Sequence, residues 1–479
     1  MRVLCTAAGG TARLSLINGS SVTVLLGTAN LRLGYAGGNA TATNILDVGG
    51  TLTLPAGSTG GKVMMGDSSS ANTLNLNAGG NLLTAAIQDT NAAATDVVNC
   101  NGGKLTVILD STNTAATGFM QGLNAVNLLD GGLVIDTNGN PALINQAMQA
   151  GGTNSGGLTK QGAGTLSLGG ANVYGGPTVV AAGTLAVVSP GTTGLGATTV
   201  QSGATLAGNG IVTAAATIEG SISPGTSIGA LTVGGRLTLA AGSAYNWEVT
   251  NWNAVLQGLD YDTIVAGSLD ITATAGNPAT IVVNGLSLSN FVDAPRTFVL
   301  ATITGGITSF AASKFVVNRA AFTAGTGAWT VKLSGDSTKL LLEYAPAAAN
   351  DYDSWADGFG LVGLDREPGA DPDHDGLTNF QEYAFGLIPT SGASVSPVKV
   401  PLNRTTGHFT YTRRDPALTL LAYGIEKSTT LAAGGWALDN GATQNVISTV
   451  DRVQTVEVTL SGTPPVADPT LFVRVVAQK

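Results

Sequence analysis

The sequence predicts an all-β protein made of a parallel β-helix (a solenoid), a short helical segment with an acidic loop, and a small β-sandwich-like C-terminal domain. Three observations predict this. The 479 residues include 67 glycines and only 11% charged residues, against about 25% in ordinary globular chains. Glycine pairs followed by alternating strands recur along the chain. After residue 345 the composition changes and acidic residues concentrate.

The first element, residues 1–156, is predicted to form the N-terminal coils of the solenoid. Strand patterns follow glycine pairs at Gly49-Gly50, Gly79-Gly80, Gly102-Gly103 and Gly131-Gly132. Leu31-Arg32-Leu33 is echoed by Val63-Met64-Met65. Period-2 alternation places one face inside and one outside, and a single strand pair cannot bury its apolar face alone. We therefore expect successive turns to stack, with glycine at the corners.

The second element, residues 157–345, opens with a motif of high specificity. Leu158–Leu166 reads Leu-Thr-Lys-x-Gly-x-Gly-Thr-Leu, Ala171–Gly176 reads Ala-Asn-x-Tyr-x-Gly, and Ala182–Leu185 reads Ala-Gly-Thr-Leu. This stretch resembles the autotransporter-associated β-strand repeat. The resemblance implies a right-handed parallel β-helix, as in passenger regions displayed outside bacterial cells.

Location and role are expectations that rest on this resemblance. It implies a secreted or cell-surface protein that serves as a non-enzymatic structural or adhesive stalk. Surface glycans, other surface proteins or self-association are the partners that this role implies. Residues 1–10 are too weakly apolar for a signal-peptide core. We therefore expect the natural start to be truncated or misassigned in this sequence.

The net charge of the chain excludes one class of partner. A net charge of −9 and a pI near 4.7 argue against nucleic acid, which requires clustered Lys and Arg. No run of 18 apolar residues occurs, so we expect no transmembrane helix. Cys5 and Cys100 are too few for a disulfide framework or a cysteine-based metal site.

The third element, residues 346–390, is predicted to be a linker followed by a calcium-binding loop. Asp371 to Glu382 fits the twelve-residue calcium template, with carboxylates at positions 1, 3, 5 and 12 and glycine at position 6. The predicted ligands for one Ca²⁺ are Asp371, Asp373, Asp375, the carbonyl of Leu377, Asn379 (directly or through water) and Glu382. The loop resembles those of EF-hand, dockerin and thrombospondin type 3 modules. A solvated acidic turn is the alternative.

The fourth element, residues 391–479, is predicted to be a small antiparallel β-domain. Strand candidates lie at 408–414, 421–427, 453–460 and 471–476. The tail from Tyr352 to Ser428 resembles the C-terminal regions of large secreted proteins of verrucomicrobial bacteria. That resemblance implies a sorting or anchoring module.

Two other functions stay open at this point. One is a polysaccharide-active parallel β-helix enzyme, a lyase or hydrolase, for which Asp260 and Asp262, with Trp247 and Glu248 nearby, are the close acidic candidates. The other is glycan or receptor binding by the C-terminal domain. The chain has two histidines, so a Ser-His-Asp triad has few candidates. The five tryptophans are widely separated in sequence and predict no aromatic sugar platform.

Overall fold

The computed structural model describes every residue except 1, 4–8, 25–29, 35–40, 57–59, 67–69, 90, 110–117, 155, 254, 255, 326, 347–350, 395, 463–469 and 479. The chain forms two compact units, Met1–Pro346 and Ala347–Lys479. Among the described residues, no helix is long and apolar enough to cross a membrane.

The first unit is built from short strands joined by turns. In chain order they are β1 (Arg2–Val3), β2 (Thr11–Leu16), β3 (Ser21–Thr23), β4 (Leu31–Leu33), β5 (Thr43–Val48), β6 (Thr51–Thr53), β7 (Lys62–Met65), β8 (Ala71–Asn77), β9 (Asn81–Thr84), β10 (Ala86–Asp89), β11 (Thr95–Asn101), β12 (Gly103–Val107), β13 (Met120–Gln121), β14 (Ala125–Leu128), β15 (Leu133–Asp136), β16 (Ala142–Ile144), β17 (Met148–Ala150), β18 (Leu158–Gln161), β19 (Thr165–Leu168), β20 (Thr178–Val180), β21 (Thr184–Val187), β22 (Thr198–Val200), β23 (Thr205–Gly208), β24 (Ile211–Val212), β25 (Ala216–Ile218), β26 (Ser221–Pro224), β27 (Ala230–Leu239), β28 (Ala244–Asn251), β29 (Thr263–Ile271), β30 (Ala279–Ser289), β31 (Arg296–Ile303), β32 (Ile307–Thr308), β33 (Phe315–Ala321), β34 (Ala328–Leu333) and β35 (Lys339–Ala345). A 3-10 turn, Ala312–Lys314, precedes β33.

These strands stack into a parallel β-helix, as predicted. Three sheets build the unit, with 13, 6 and 16 strands in the described residues. The six-stranded sheet ends at β17, and neighbouring strands are parallel as far as β33. Two of the sequence echoes are stacked in register, since Leu31 pairs with Val63 and Thr51 with Asn81, whereas the echo at Gly131-Gly132 is shifted by one residue and Gly103 pairs with Leu133. Glycine pairs and repeated strands therefore mark successive coils.

The interior of the stack is one continuous apolar core. Inward positions alternate with outward ones along each strand, as in the pattern iBiBiBi of β8. Leu74, Leu76 and Val98 are fully buried, and Cys100 is a free cysteine in the same core. Cys5 lies outside the described residues. Each coil thus covers the apolar edge of the next, which supplies the burial that a single coil lacks.

Amide side chains form a ladder on the outside of the six-stranded sheet. Asn75 donates to Asp47 at 2.8 Å, Asn99 to Asn75 at 2.9 Å, Asn127 to Asn99 at 2.8 Å and Gln149 to Asn127 at 3.0 Å. Every donor points towards Asp47. Each side chain supplies both the donor and the acceptor that its neighbours need, so the ladder fixes the register of consecutive coils.

Polar residues of the Leu-Thr-Lys and Ala-Asn-x-Tyr motifs also connect neighbouring coils. Lys160 in β18 is fully buried, and its Nζ donates to the carbonyls of Gln161 (2.9 Å), Gly162 (2.7 Å) and, in the next coil, Ala182 (2.9 Å). Asn172 bonds the Met148 N–H and the Thr192 carbonyl in the coils on either side. The conspicuous lysine of the motif therefore has a structural role.

An antiparallel aromatic cap closes the C-terminal end of the first unit. β35 pairs antiparallel with both β31 and β34, so the expectation that parallel coils continue to residue 345 is wrong for this last stretch. The cap is a cluster of mostly buried rings: Trp247, Trp252, Tyr261, Phe291, Phe298, Phe322, Trp329 and Tyr344. Trp329 thus shares one core with Trp247 and Trp252, about 80 residues earlier in the chain, and this core shields the final coil from water.

The second unit combines short helices with two antiparallel sheets. Its elements are α1 (Asp351–Gly358), a 3-10 turn (Gly363–Arg366), α2 (Asn379–Phe385), β36 (Val398–Asn403), β37 (His408–Arg414), α3 (Pro416–Thr419), β38 (Ala422–Ser428), a 3-10 turn (Ala433–Gly435), β39 (Ala437–Leu438), β40 (Thr443–Val450), β41 (Val453–Thr459) and β42 (Phe472–Gln478). The sheets are ordered β36-β37-β41-β40 and β39-β38-β42. Tyr411 and Val456 from the first sheet share a core with Ile425 from the second. The unit is therefore sandwich-like. The four predicted strands match β37, β38, β41 and β42 within two residues.

Candidate metal site

The acidic loop before α2 has the backbone of a metal-binding turn. Asp371 accepts from the N–H groups of Asp375 (3.2 Å) and Gly376 (3.0 Å), and Asp375 accepts from Leu377 N–H at 2.8 Å. Gly376 has a φ of +92°, a conformation that residues with a side chain rarely adopt. These bonds wrap the loop around its own carboxylates.

The helix that follows is capped by its own residues. Thr378 accepts a bond from Gln381 N–H, and the Gln381 side chain accepts from Thr378 N–H, which makes a capping box. Gly386 ends the helix in the left-handed conformation. This short helix carries Glu382 back towards the loop.

Three aspartates converge inside this turn, and Glu382 lies close enough to feel their charges. Asp371, Asp373 and Asp375 each offer an oxygen that lies within 4.8 Å of the others. Glu382 is fully buried. Both oxygens of Asp373, both of Glu382 and Oδ2 of Asp375 are buried without a hydrogen-bond partner among the described residues. Hard oxygen ligands of this number and type suit Ca²⁺.

In the part of the chain that the structure describes, no Lys or Arg side chain forms an ion pair with these carboxylates. Arg366 is the only basic residue between 351 and 386. It forms ion pairs with Asp353 at 3.2 Å and with Asp357, both on α1. Burial, together with the charges of Asp373, Asp375 and Asp371, raises the pKa of Glu382 to about 7. A divalent cation would relieve this repulsion, so the donor set fits calcium both chemically and electrostatically.

Two further predicted ligands lie at the exit of the loop. Leu377 follows Gly376 directly, where its backbone carbonyl is the seventh position of the template. Asn379 is fully buried, and its Nδ2 donates to the carbonyls of Asp365 (2.7 Å) and Glu367 (2.9 Å). Its Oδ1 has no partner among the described residues. Asn379 thus ties α2 to the segment that enters the loop, a role that the template did not indicate.

The site is supported by contacts that the sequence pattern did not reveal. Asp351, at the start of α1, forms a buried ion pair with Arg414 of β37, 63 residues away. The Arg414 guanidinium lies 5.3 Å from the ring centroid of Tyr383, the residue after Glu382. Arg414 is only 7% exposed. Helix α2 is therefore held against the sandwich next to Glu382, its predicted ligand.

The acidic pair on the solenoid has a different environment. Asp262 is fully buried and accepts from the N–H groups of Gly229 (2.8 Å) and Glu248 (3.0 Å). Asp260 accepts from Asn251 and from the Leu256 N–H. In the described part of the solenoid, no three His, Cys, Asp or Glu side chains converge as the loop carboxylates do. Asp262 thus holds two chain segments together.

The comparisons with known proteins concern the solenoid. Residues 158–187 match the family model of the passenger-associated-transport-repeat. This segment contains the Leu-Thr-Lys and Ala-Asn-x-Tyr motifs, whose polar side chains join neighbouring coils. No curated protein matches the chain.

Proposed function

We propose that this chain is a non-enzymatic repeat protein of the bacterial cell surface or extracellular space, with a solenoid stalk and a calcium-stabilised tail. The observation that carries the proposal is the parallel stack of coils through the first unit, with the passenger-type repeat in its middle. Passenger repeats of this family imply an extracellular location. The stalk would act through its repeated outer faces, either structurally or in adhesion.

The distribution of polar groups supports a structural stalk over an enzyme. Polysaccharide-cleaving enzymes need acids or bases that can reach the sugar. The carboxylate of Asp262 accepts backbone hydrogen bonds, and Lys160 is enclosed by three carbonyls. The buried charged groups of these coils are thus occupied in joining chain segments.

A cavity in the second unit gives no support to glycan binding. It has a volume of about 430 Å³ and lies between α2 and the sheets. Its lining is mostly apolar, including Leu377, Phe385, Leu402, Phe409 and Val473. Sugars need hydrogen-bonding groups and are poorly matched to such a surface.

Protease accessibility on intact cells tests the location. With an antibody against the chain, proteinase K added to intact producing cells should remove the signal while a cytoplasmic marker survives. A chain that stays protected until the cells are lysed would contradict a surface location.

Calorimetric titration of the full chain tests the tail site. We expect Asp371→Ala combined with Asp375→Ala to lower the number of bound Ca²⁺ by one per chain. The matched control is Asp353→Ala with Asp357→Ala, which removes the same charge from α1 and should leave the stoichiometry unchanged. Equal stoichiometry in the loop variant and the wild type would remove the site.

A further inference from the structure

A second pair of carboxylates lies at one corner of the solenoid, in the first unit. Asp89 ends β10, and Asp96 is the second residue of β11. Asp96 is fully buried, and its Oδ2 has no hydrogen-bond partner among the described residues. Its other oxygen accepts from Asn72 Nδ2 at 2.7 Å. One carboxylate oxygen is therefore left inside the protein without a donor.

The two carboxylates point at the same small space above Gly66. A methyl group built on Gly66 would lie 2.5 Å from Asp96 Oδ2 and 2.6 Å from Asp89 Oδ1. Gly66 has a φ of +75°, so glycine is favoured here by the backbone as well as by the space. The two oxygens converge from separate strands of one coil on the preceding coil.

The neighbouring coils have uncharged residues at the positions of Asp89 and Asp96, so coils can stack without these two carboxylates. Asp89 is in register with Met65, which is in register with Leu33, and both of these are fully buried apolar residues. Asp96 is in register with Asn72, a neutral amide. The fourth coil thus has two carboxylates that face each other where the coil before it has an apolar residue and an amide.

Such a pair needs a positive partner when both groups are ionised. Two like charges this close repel each other strongly where water is excluded. No Lys or Arg side chain of the described residues forms an ion pair with either group. Asp89 is only half-buried, so an ion can reach the pair from solvent.

We propose that Asp89 and Asp96 bind a hard divalent cation, with Ca²⁺ as the expected ion, at this corner of the solenoid. Carboxylate oxygens supply the charge, and water completes the coordination shell. Sites with few protein ligands bind calcium weakly, about 10⁻⁴–10⁻³ M in extracellular modules. The ion would join the end of β10 to the start of β11 over Gly66.

Equilibrium dialysis of the full chain with radioactive calcium tests this site separately from the tail. At pH 8 and millimolar free Ca²⁺, we expect two ions per wild-type chain and one after Asp371→Ala with Asp375→Ala. Adding Asp96→Asn to that background should abolish binding. Adding Asp130→Asn, which changes an exposed carboxylate of the same solenoid, should leave one ion bound.

Asp96→Asn should preserve the fold, because the amide oxygen of asparagine can still accept the hydrogen bond from Asn72. Circular dichroism should show that the chain with Asp96→Asn is folded. In the tail-deficient background, calcium should raise the thermal midpoint only where Asp96 is present. Absence of binding in the tail-deficient background would overturn the proposal in favour of a shared proton. Burial and a proton shared with Asp89 raise the pKa of Asp96 to about 7, so the stability of the chain would fall as the pH rises from about 4 to about 8, with or without calcium. If tail substitution leaves two ions bound, the tail proposal fails while this one stands.

Discussion

Replacing Lys160 with methionine is expected to weaken the solenoid sharply. The side chain is fully buried, and its ammonium donates to three carbonyls within 2.9 Å, one of which belongs to the next coil. Methionine keeps most of the volume but removes all three donors. The substitution therefore isolates the polar clamp from apolar packing.

The size of the effect follows from the groups that are left behind. The Gln161 carbonyl still accepts from the N–H and Oγ1 of Thr137. The Gly162 and Ala182 carbonyls lose the Lys160 donor, and each acceptor that is left buried without a partner costs about 1–3 kcal/mol. Part of this is offset because the ammonium no longer has to be desolvated. We expect Lys160→Met to lower the free energy of unfolding by about 2–4 kcal/mol.

Urea unfolding of the full chain, followed by far-UV circular dichroism, measures this loss. Burial lowers the pKa of Lys160 to about 8, so the assay belongs at pH 6, where the ammonium is charged. Lys104→Met is the matched control, because Lys104 is partly exposed and lies 3.5 Å from Asp136. An exposed pair of this kind contributes less than about 1 kcal/mol. Equal losses for the two variants would refute the structural role of Lys160.

Three further perturbations test other parts of the two units. The Arg13 guanidinium beside Asp47 holds the pKa of that carboxyl down at about 2, so the stabilising effect of the carboxylate is present above pH 4 and is lost as the pH falls towards 2. In urea titrations, Asp47→Asn should therefore cost about 1 kcal/mol at pH 6 and nothing at pH 2. A difference that does not depend on pH would contradict this. Trp252→Ala should cost about 3–5 kcal/mol in the same assay because it empties the centre of the aromatic cap, and a loss below about 1 kcal/mol would show that the cap is not packed as described. Arg414→Met should cost about 3–5 kcal/mol because it leaves Asp351 buried with a weakened partner set, whereas adding Asp351→Leu should recover most of the loss; no recovery would argue against the buried pair.

The coils were predictable because their signals are local. Glycine pairs and period-2 alternation repeat within each turn, and Leu31 and Val63 stack in register as their echoed triplets suggest. The calcium template is also local, and it brings Asp371 and Glu382 together within twelve residues. Patterns that recur over short distances report directly on which faces are buried.

What the sequence did not reveal depends on contacts between distant residues. Trp252 and Trp329 lie in one aromatic cluster although 77 positions separate them, and Asp351 meets Arg414 from 63 residues away. Asn379 matched a ligand position of the template, but its amide nitrogen binds the segment before the loop. A motif describes which groups are available, while their partners are set by tertiary packing.

The stacking of consecutive coils is tested most directly by engineered disulfides. Asn99 and Asn127 are in register on adjacent coils, at the spacing of about 4.8 Å between neighbouring strands, which a disulfide can bridge. With Cys5 changed to serine and buried Cys100 retained, Asn99→Cys with Asn127→Cys should cross-link on mild oxidation, as read by mass spectrometry. Asn75→Cys with Asn127→Cys, two coils apart, should stay reduced. Efficient cross-linking of the second pair, or none in the first while both thiols react after unfolding, would contradict a stacked solenoid.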